Sequence, residues 1–422
     1  MKVYIETYGC SANRNDSEIM INLLKNSNFE ITNKISNADL LIINTCIVKQ
    51  ATKSRMIERI RFLSSFNKPL IVAGCFPKVE KERIKKINPK ASLIGPNSID
   101  KIVEVAKETL KGKSIEILDG NANKAKLPSY RFNPIIEIVQ IASGCLSSCS
   151  FCVSRIARGF LRSYRISDIK EKIENAVKRG AKEIWITSQD NSAYGRDIGV
   201  TLIDLLESIL EIEGNFWIRI GMMNPLHFKK IEVEKLAEIF KNEKIFKFLH
   251  LPVQSGSNKV LKDMKRGYTV EEFLDWIRIF RKKVKKITIS TDIIVGFPTE
   301  TEKDFEETIL LLKKLKPDVV NLSKFSLHPQ TEAAKFKQLS SKVIDERSKT
   351  LSKIIRELLE KKNRKWKNWK GIALVDEVVK NGYIARNIYY KPIFLKNAKF
   401  GNFVKVKIKE TFANFLEGEI IE

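Results

Sequence analysis

Between residues 135 and 326 six short apolar runs recur, IIEIVQIASG, EIWITSQ, FWIRIGMM, FKFLHLPVQ, KITISTDIIVG and DVVNLSKFS, each separated from the next by a segment of helical periodicity. A strand whose helix carries the chain back to a parallel neighbour restricts it to α/β folds. Six such units in succession fit a full or partial β/α barrel, with chemistry at the carboxyl ends of its strands. The N-terminal region repeats the alternation on a smaller scale. KVYIETYG, DLLIINT and PLIVAGC are interleaved with DSEIMINLLKN and SRMIERIRFLSS, which predicts a doubly wound parallel-sheet domain over residues 1–115. Residues 119–134, DGNANKAKLPSYRFNP, lack periodicity and read as a linker into a central domain at 131–362. That domain closes on a long amphipathic segment, SKVIDERSKTLSKIIRELLEKKNRKW. The runs GIALVDEVVKNGYIARN, KPIFLKN, NFVKVKIKET and LEGEIIE then predict a small antiparallel β-barrel over 363–422.

The six cysteines fall at telling places in this frame. The start MKVYIETYGC lacks the apolar core of a signal peptide, and no uncharged apolar run of about 18 residues occurs, so a cytoplasmic protein with no membrane partner is expected. Thiols there stay reduced, and metal binding or catalysis is a better expectation than disulfides. Cys10 follows the first predicted strand, Cys46 the second and Cys75 the third. In an open α/β sheet those ends line one crevice, so the three thiols either converge on a site or serve singly as small buried residues. Cys145, Cys149 and Cys152 are spaced C-x3-C-x2-C in the loop IASGCLSSCSFC, directly after the first barrel strand. Structural zinc requires four protein ligands, and no fourth lies nearby; the chain's histidines are His227, His250 and His328. Three thiolates suit a [4Fe-4S] cube with one iron left open, the alternative being a zinc site completed by a distant histidine.

Charge adds a partner. Lys and Arg number 76 against 50 Asp and Glu, a net +26, which favours a polyanion, although mixed stretches such as KVEKERIKKI also read as solvated helix faces. Residues 361–422 hold fourteen Lys and Arg against six Asp and Glu, interleaved with Trp366, Trp369, Tyr383, Tyr389, Tyr390, Phe394 and Phe403. Cations over phosphates and aromatics under bases suit an RNA-binding barrel, with more than half of these aromatics expected in the barrel's own core.

The C-x3-C-x2-C loop after the first strand of a βα barrel resembles the radical S-adenosylmethionine superfamily. YGCSANRNDSE, INTC and AGC, with RIARGFLRSYR, TSQDNSAYGRD, HLPVQSGSNKVLKDMKRGYT and TDIIVGFPTET, resemble the methylthiotransferases within it, and the C-terminal barrel resembles that family's TRAM domain. The resemblance covers essentially the whole chain. It implies that the central domain is a partial (β/α)6 barrel and that Cys145, Cys149 and Cys152 hold the [4Fe-4S] cluster that cleaves S-adenosylmethionine to a radical. Cys10, Cys46 and Cys75 would hold a second [4Fe-4S] cluster carrying the sulfur to be methylated. S-adenosylmethionine would then serve twice, as methyl donor and as radical source, which explains why no acid–base pair or nucleophilic triad is evident.

Cofactor contacts implied by the same resemblance are Ser188 and Gln189 with Asp190 after the second barrel strand, Gln254 and Ser255 after the fourth, and Asp292 and Gly296 at the fifth, Gly296 permitting close approach to the adenine. A strand-end polar residue that caps the following helix is the plainer role for each of them. Two departures from the family pattern stand out: Ser188 where a glycine is expected, and FPKVEKE after Cys75 where a glutamine-containing stretch is usual. His250 reads as a core residue rather than a ligand. The implied partners are tRNA, a flavodoxin- or ferredoxin-like electron donor and a sulfur source. The family's substrates are adenosine 37 of tRNA bearing a threonylcarbamoyl or an isopentenyl group, and an aspartate of a ribosomal protein. The compact frame and ARGFLRSYR point to the archaeal and eukaryotic branch acting on N6-threonylcarbamoyladenosine. Outside enzymes, the alternative is an RNA-binding protein with structural metal sites.

Overall fold

The computed structural model describes residues 1–48 and 50–422. Its N-terminal part is a parallel sheet of six strands, β1 (Lys2–Thr7), β2 (Glu30–Thr32), β3 (Leu40–Thr45), β4 (Leu70–Gly74), β5 (Ser92–Ile94) and β6 (Glu116–Ile117), in the order β2-β1-β3-β4-β5-β6. Register is set by pairs such as Val3 with Leu40 and Leu41 with Leu70. Every residue of β3 and β4 is buried because both faces are covered. Leu41, Ile43 and Val72 pack on one side, and Leu40, Ile42 and Ile71 on the other. Continuous apolar runs are what a parallel sheet between two helical layers requires.

The central part carries β7 (Ile136–Gln140), β8 (Ala142–Ser143), β9 (Arg162–Ser163), β10 (Glu183–Thr187), β11 (Trp217–Ile220), β12 (Phe248–His250), β13 (Thr288–Val295) and β14 (Val319–Lys324). Parallel pairing runs β11-β10-β7 and β12-β13-β14, and a single bridge from Ile218 to Ile245 joins the two halves into a six-strand partial barrel. β8 and β9 stand apart as a short antiparallel pair, Ala142 with Ser163 and Ser143 with Arg162, which pinches the neck of the loop holding Cys145, Cys149 and Cys152. The long helix Ser341–Asn363 buries Arg347, Leu351, Ile355 and Leu359 at helical spacing.

Five strands close the C-terminal barrel, β15 (Lys370–Val379), β16 (Gly382–Asn387), β17 (Pro392–Leu395), β18 (Phe403–Thr411) and β19 (Leu416–Ile420), in the order β15-β16-β17-β19-β18. One pairing departs from the expected antiparallel barrel: β17 and β19 run parallel.

The stretch 119–134 has no helix or strand, as its composition predicts, yet it is no slack spacer. Lys124 is fully buried against Asp16 and Gln140, and Lys172 donates to the carbonyls of Lys124 and Leu127, so the segment is packed between the N-terminal sheet and the barrel. Among the described residues no helix is long and apolar enough to cross a membrane.

Candidate active site at the barrel mouth

Three neighbouring strands bring the first cysteine set together. β1, β3 and β4 lie side by side, and Cys10, Cys46 and Cys75 follow their carboxyl ends. Asn13, on the helix Ser11–Asn26, ties these ends: its Nδ2 donates to the carbonyls of Tyr8 (3.0 Å) and Thr45 (2.8 Å), while its Oδ1 accepts from Arg158 (2.6 Å) and from the Cys75 thiol (3.7 Å). Burial pushes the Cys46 thiol up to about 11, and the neighbouring Cys75 and Cys10 add to the rise. Burial likewise raises Cys75, against a lowering pull from Arg158. Cys10 and Cys75 thus lie within electrostatic reach of Cys46.

The second set hangs in the pinched loop. Gly144, at its entry, has φ of +80°, and a Cβ there would lie 1.9 Å from the Phe160 carbonyl oxygen, so only glycine fits. The Gly144 amide donates to Gln189 Oε1 (2.7 Å). Asn224 Nδ2 donates to Ser147 Oγ (2.8 Å), and Ser150 donates its amide to Met264 O (3.1 Å) and its hydroxyl to Asp263 O (2.7 Å). Ser147 and Ser150 thus anchor the loop. Burial, then Asp190, pushes Cys145 up to about 12, and burial, then Cys149, raises Cys152. Thiols so disfavoured as free anions suit a cationic metal that takes them as thiolates. Two donors already aim at these sulfurs: the Ser147 amide at Cys145 Sγ (3.3 Å) and Arg266 Nη1 at Cys149 Sγ (3.1 Å).

The histidines do not complete a zinc site. Nδ1 of His227 is 2.6 Å from Asp190, Nε2 of His250 2.8 Å from Asp292, and Nε2 of His328 3.1 Å from the Val48 carbonyl. Among the described residues no three His, Cys, Asp or Glu side chains close on a single metal ion.

The segments that carry the two cysteine sets are tied to one another. Ser11, next to Cys10, bonds Thr187 at the end of β10 (2.8 Å), and Ser143, two residues before Cys145, donates to Asn97 (2.7 Å). Gln140, ending β7, donates to the Ala12 carbonyl, Asn15 and Asp16 on the first helix. Between the sets lies Arg158, 2% exposed, bonded to Asn13 and to Asp16 Oδ2 (2.8 Å). Burial alone would raise the Asp16 carboxyl, but Lys124 and Arg158 hold it below its ordinary value. Sequence reasoning singled out none of Asn13, Asp16, Arg158 and Arg266, although all four lie in the motifs that carry the family resemblance.

The six expected cofactor contacts divide. Gln254 has φ of +78°, is held by its amide to the Asp292 carbonyl (2.9 Å) and has a buried Oε1 without a hydrogen-bond partner. A left-handed non-glycine residue with an orphaned acceptor beside Asp292 is the kind of strained position that accompanies ligand binding. Asp292 accepts from Asn321 (2.7 Å) as well as pairing with His250. Gln189 turns to the cysteine loop, and Ser188 donates to Asn191 (3.1 Å) within its own turn. Asp190 is a buried hub that accepts from the amides of Ser192 and Asn224. Ser255 is fully buried, accepting from the amide of Ser257, the N-cap of the following helix, with Thr308 at 3.4 Å, so it braces that cap rather than facing the barrel mouth. At Gly296 φ is +76°, and the space a Cβ would need is taken by Ile344 at 2.5 Å, so here glycine accommodates the long helix. His250 is half-buried at the mouth, paired with Asp292.

The C-terminal aromatics pack more completely than expected. Trp366, Trp369, Tyr383 and Tyr389 line the small barrel's core, and Tyr390 and Phe403 pack on Trp217, Phe246 and Phe248 at the amino ends of the central strands. The exposed aromatic pair is instead Phe412 and Phe415, stacked at 4.5 Å.

A six-strand partial barrel with a three-cysteine loop at its mouth defines a radical S-adenosylmethionine enzyme, and the radical SAM superfamily model matches residues 139–312. The models of uncharacterized protein family UPF0004 and of the TRAM domain match residues 2–95 and 360–421. A probable threonylcarbamoyladenosine tRNA methylthiotransferase of Pyrococcus horikoshii is 41% identical over the whole of both chains. One of Methanocaldococcus jannaschii is 41% identical over 100% of this chain and 97% of its own. The Homo sapiens threonylcarbamoyladenosine tRNA methylthiotransferase is 36% identical over 99% of this chain and 74% of its own. The chain belongs to the radical SAM methylthiotransferase family and is most like its archaeal and eukaryotic threonylcarbamoyladenosine branch. Solved structures at 14% identity share the fold. The radical S-adenosylmethionine methyltransferase TsrM of Kitasatospora setae has a TM-score of 0.55 over 79% of this chain and 76% of its own. The cobalamin-dependent S-adenosylmethionine radical enzyme OxsB has a TM-score of 0.53 over 85% and 56%.

Proposed function

We propose that this enzyme inserts a methylthio group at C2 of N6-threonylcarbamoyladenosine 37 of tRNA, in the cytoplasm. The observation that carries the assignment is end-to-end similarity, at 41% identity, to the Pyrococcus horikoshii relative named for that modification. Cys145, Cys149 and Cys152 hold one [4Fe-4S] cluster, and Cys10, Cys46 and Cys75 hold a second. The hydrogen bonds that tie the two thiol-bearing segments together, Ser11 with Thr187, Ser143 with Asn97 and Gln140 with Asp16, support this division of labour. When bound, the clusters and S-adenosylmethionine supply the radical, the methyl group and the sulfur.

The chain's own residues prepare the place for them. Gln254 and Asp292 offer the cofactor a polar edge at the fourth and fifth strands, and Gln189 fixes the cysteine loop through Gly144. Asn13 and Arg158 lock the two cysteine sets into one orientation. Residues 1–115 form the auxiliary-cluster domain, 131–362 the radical domain and 363–422 the RNA-binding domain, whose exposed lysines hold the tRNA backbone. A flavodoxin- or ferredoxin-like protein delivers electrons, and a separate donor renews the sulfur.

Two measurements test this function. Anaerobic reconstitution yields about eight irons per chain, halved when either trio is replaced by alanine, and four or fewer in the intact protein would remove the second cluster. Mass spectrometry of tRNA nucleosides from a deletion strain shows loss of the methylthio form of threonylcarbamoyladenosine. Loss of methylthio-isopentenyladenosine in its place transfers the assignment to that substrate, and an unchanged profile defeats both.

A further inference from the structure

Arg266 is 5% exposed and, among the described residues, has no carboxylate partner. A buried guanidinium without a counter-ion is costly, so the groups that do surround it are informative. Its Nε donates to Tyr268 Oη (2.9 Å), its Nη2 to the Pro252 carbonyl (3.1 Å) and its Nη1 to Cys149 Sγ (3.1 Å). Tyr268 is itself held, donating to the carbonyls of Pro252 (3.2 Å) and Val253 (2.8 Å), and its ring lies under the guanidinium at 5.3 Å. The backbone around it is tightly turned: Lys265 and Gly267, on either side, have φ of +55° and +68°. The same segment grips the residue next to Cys149, because Ser150 bonds the carbonyls of Asp263 and Met264.

The only one of these partners able to carry negative charge at neutral pH is the Cys149 sulfur, and it does so when it is a metal thiolate. Within its trio Cys149 is the cysteine whose sulfur meets a side-chain cation; Cys145 meets a backbone amide. Hydrogen bonds to sulfur and fixed charge nearby are two of the levers by which a protein sets the potential of an iron–sulfur cluster. A desolvated cation favours the form carrying the extra electron, and a charge-assisted N–H···S bond withdraws density from the thiolate in the same sense.

We propose that Arg266 is a positioning residue for the cluster held by Cys145, Cys149 and Cys152, and that its bond to the Cys149 sulfur makes that cluster easier to reduce. The assignment rests on that trio holding a cluster. It goes further by naming the residue that tunes it.

The test uses the full-length chain with Cys10, Cys46 and Cys75 replaced by alanine, so that one cluster remains. Iron is counted after anaerobic reconstitution, and the reduction midpoint is followed by electron paramagnetic resonance in the parent, Arg266→Lys, Arg266→Gln and Tyr268→Phe. All bind about four irons. The midpoint moves to more negative potential in Arg266→Gln, less in Arg266→Lys, which keeps the charge but loses the fork, and least in Tyr268→Phe, which loosens the anchor alone. A midpoint in Arg266→Gln equal to the parent's overturns the proposal. Should Arg266→Gln fail to fold, an unmoved midpoint in both Arg266→Lys and Tyr268→Phe overturns it instead. A parent chain that takes up no iron overturns the ligand role of the trio, and the role of Arg266 with it.

Discussion

Gly144 shows how one residue conditions a site. It stands where β8 and β9 pinch the cysteine loop, with φ of +80° and the Phe160 carbonyl 1.9 Å from where a Cβ would be. Alanine there must adopt a left-handed conformation and displace backbone that has no slack, a strain of roughly 1–3 kcal/mol before any clash is counted. Gly144→Ala is therefore expected to lose the iron of the Cys145 trio while retaining that of the Cys10 trio, leaving about four irons of eight. A full complement in this variant, measured after reconstitution, would show that the loop's neck tolerates rearrangement. The cysteines themselves were legible in the sequence because a thiol's position after a strand is a local fact. Arg158 and Arg266 were not. Whether an arginine is solvated or buried against a sulfur depends on what the fold sets beside it, and both look like ordinary surface cations in RIARGF and DMKRGYT.

The first helix, Ser11–Asn26, buries apolar Ile19, Met20 and Leu24 in its later turns, but its N-terminal turns bury polar groups: Asn13, Asn15, Asp16, Ser17 and Glu18 are all inaccessible. In these first turns Asp16 meets Gln140, Lys124 and Arg158. Glu18 accepts the Phe132 amide (3.2 Å) with its second oxygen unpartnered. Burial pushes its carboxyl up to about 7, and Glu137 adds to the rise. The folded protein thus holds this proton more tightly than the unfolded chain. The stability it contributes is full below about pH 4.5 and is lost as pH rises toward 7. Glu18→Gln removes that loss, and by pH 8 it is expected to stabilise the apoprotein by on the order of 2 kcal/mol, with little effect at pH 4. Urea midpoints at the two pH values check this, and equal gains at both would assign the effect to packing instead. The helix itself was readable from DSEIMINLLKN. The polar burial in its first turns was not, because periodicity marks where apolar side chains go and says nothing of which polar ones a neighbouring domain will bury.

At the scale of the whole molecule, the C-terminal barrel plugs the amino ends of the central strands, with Phe403 against Trp217 at 4.9 Å and Tyr390 against Phe246 at 4.8 Å. Aromatics spent on this docking and on the small barrel's core are not free to stack on bases, so the proposed contact with tRNA is left to exposed lysines and to the pair Phe412 and Phe415. Lys370, Lys396 and Lys399 are exposed and make no ion pair among the described residues. Replacing all three by glutamine is expected to weaken tRNA binding and to flatten the dependence of log Kd on log salt by about one for each phosphate no longer neutralised. An unchanged slope in a filter-binding titration would place the RNA elsewhere on the protein.

The amino-acid sequence by itself determined the succession of βα units, the closed barrel at the C-terminus and the placing of six thiols after strands, because these follow from local periodicity and from where a motif stands relative to the nearest strand. Only the tertiary structure decided that the two thiol-bearing segments are tied together, since sheet order and domain docking bring Ser11 to Thr187 and Gln140 to Asp16. It also decided that Ser255 is sealed into the core, that Gln254 keeps an unpartnered oxygen, and that one buried arginine reaches the Cys149 sulfur. A side chain's type is written in the chain, but its dielectric surroundings and partners come from residues tens or hundreds of positions away, and chemistry at the site depends on those.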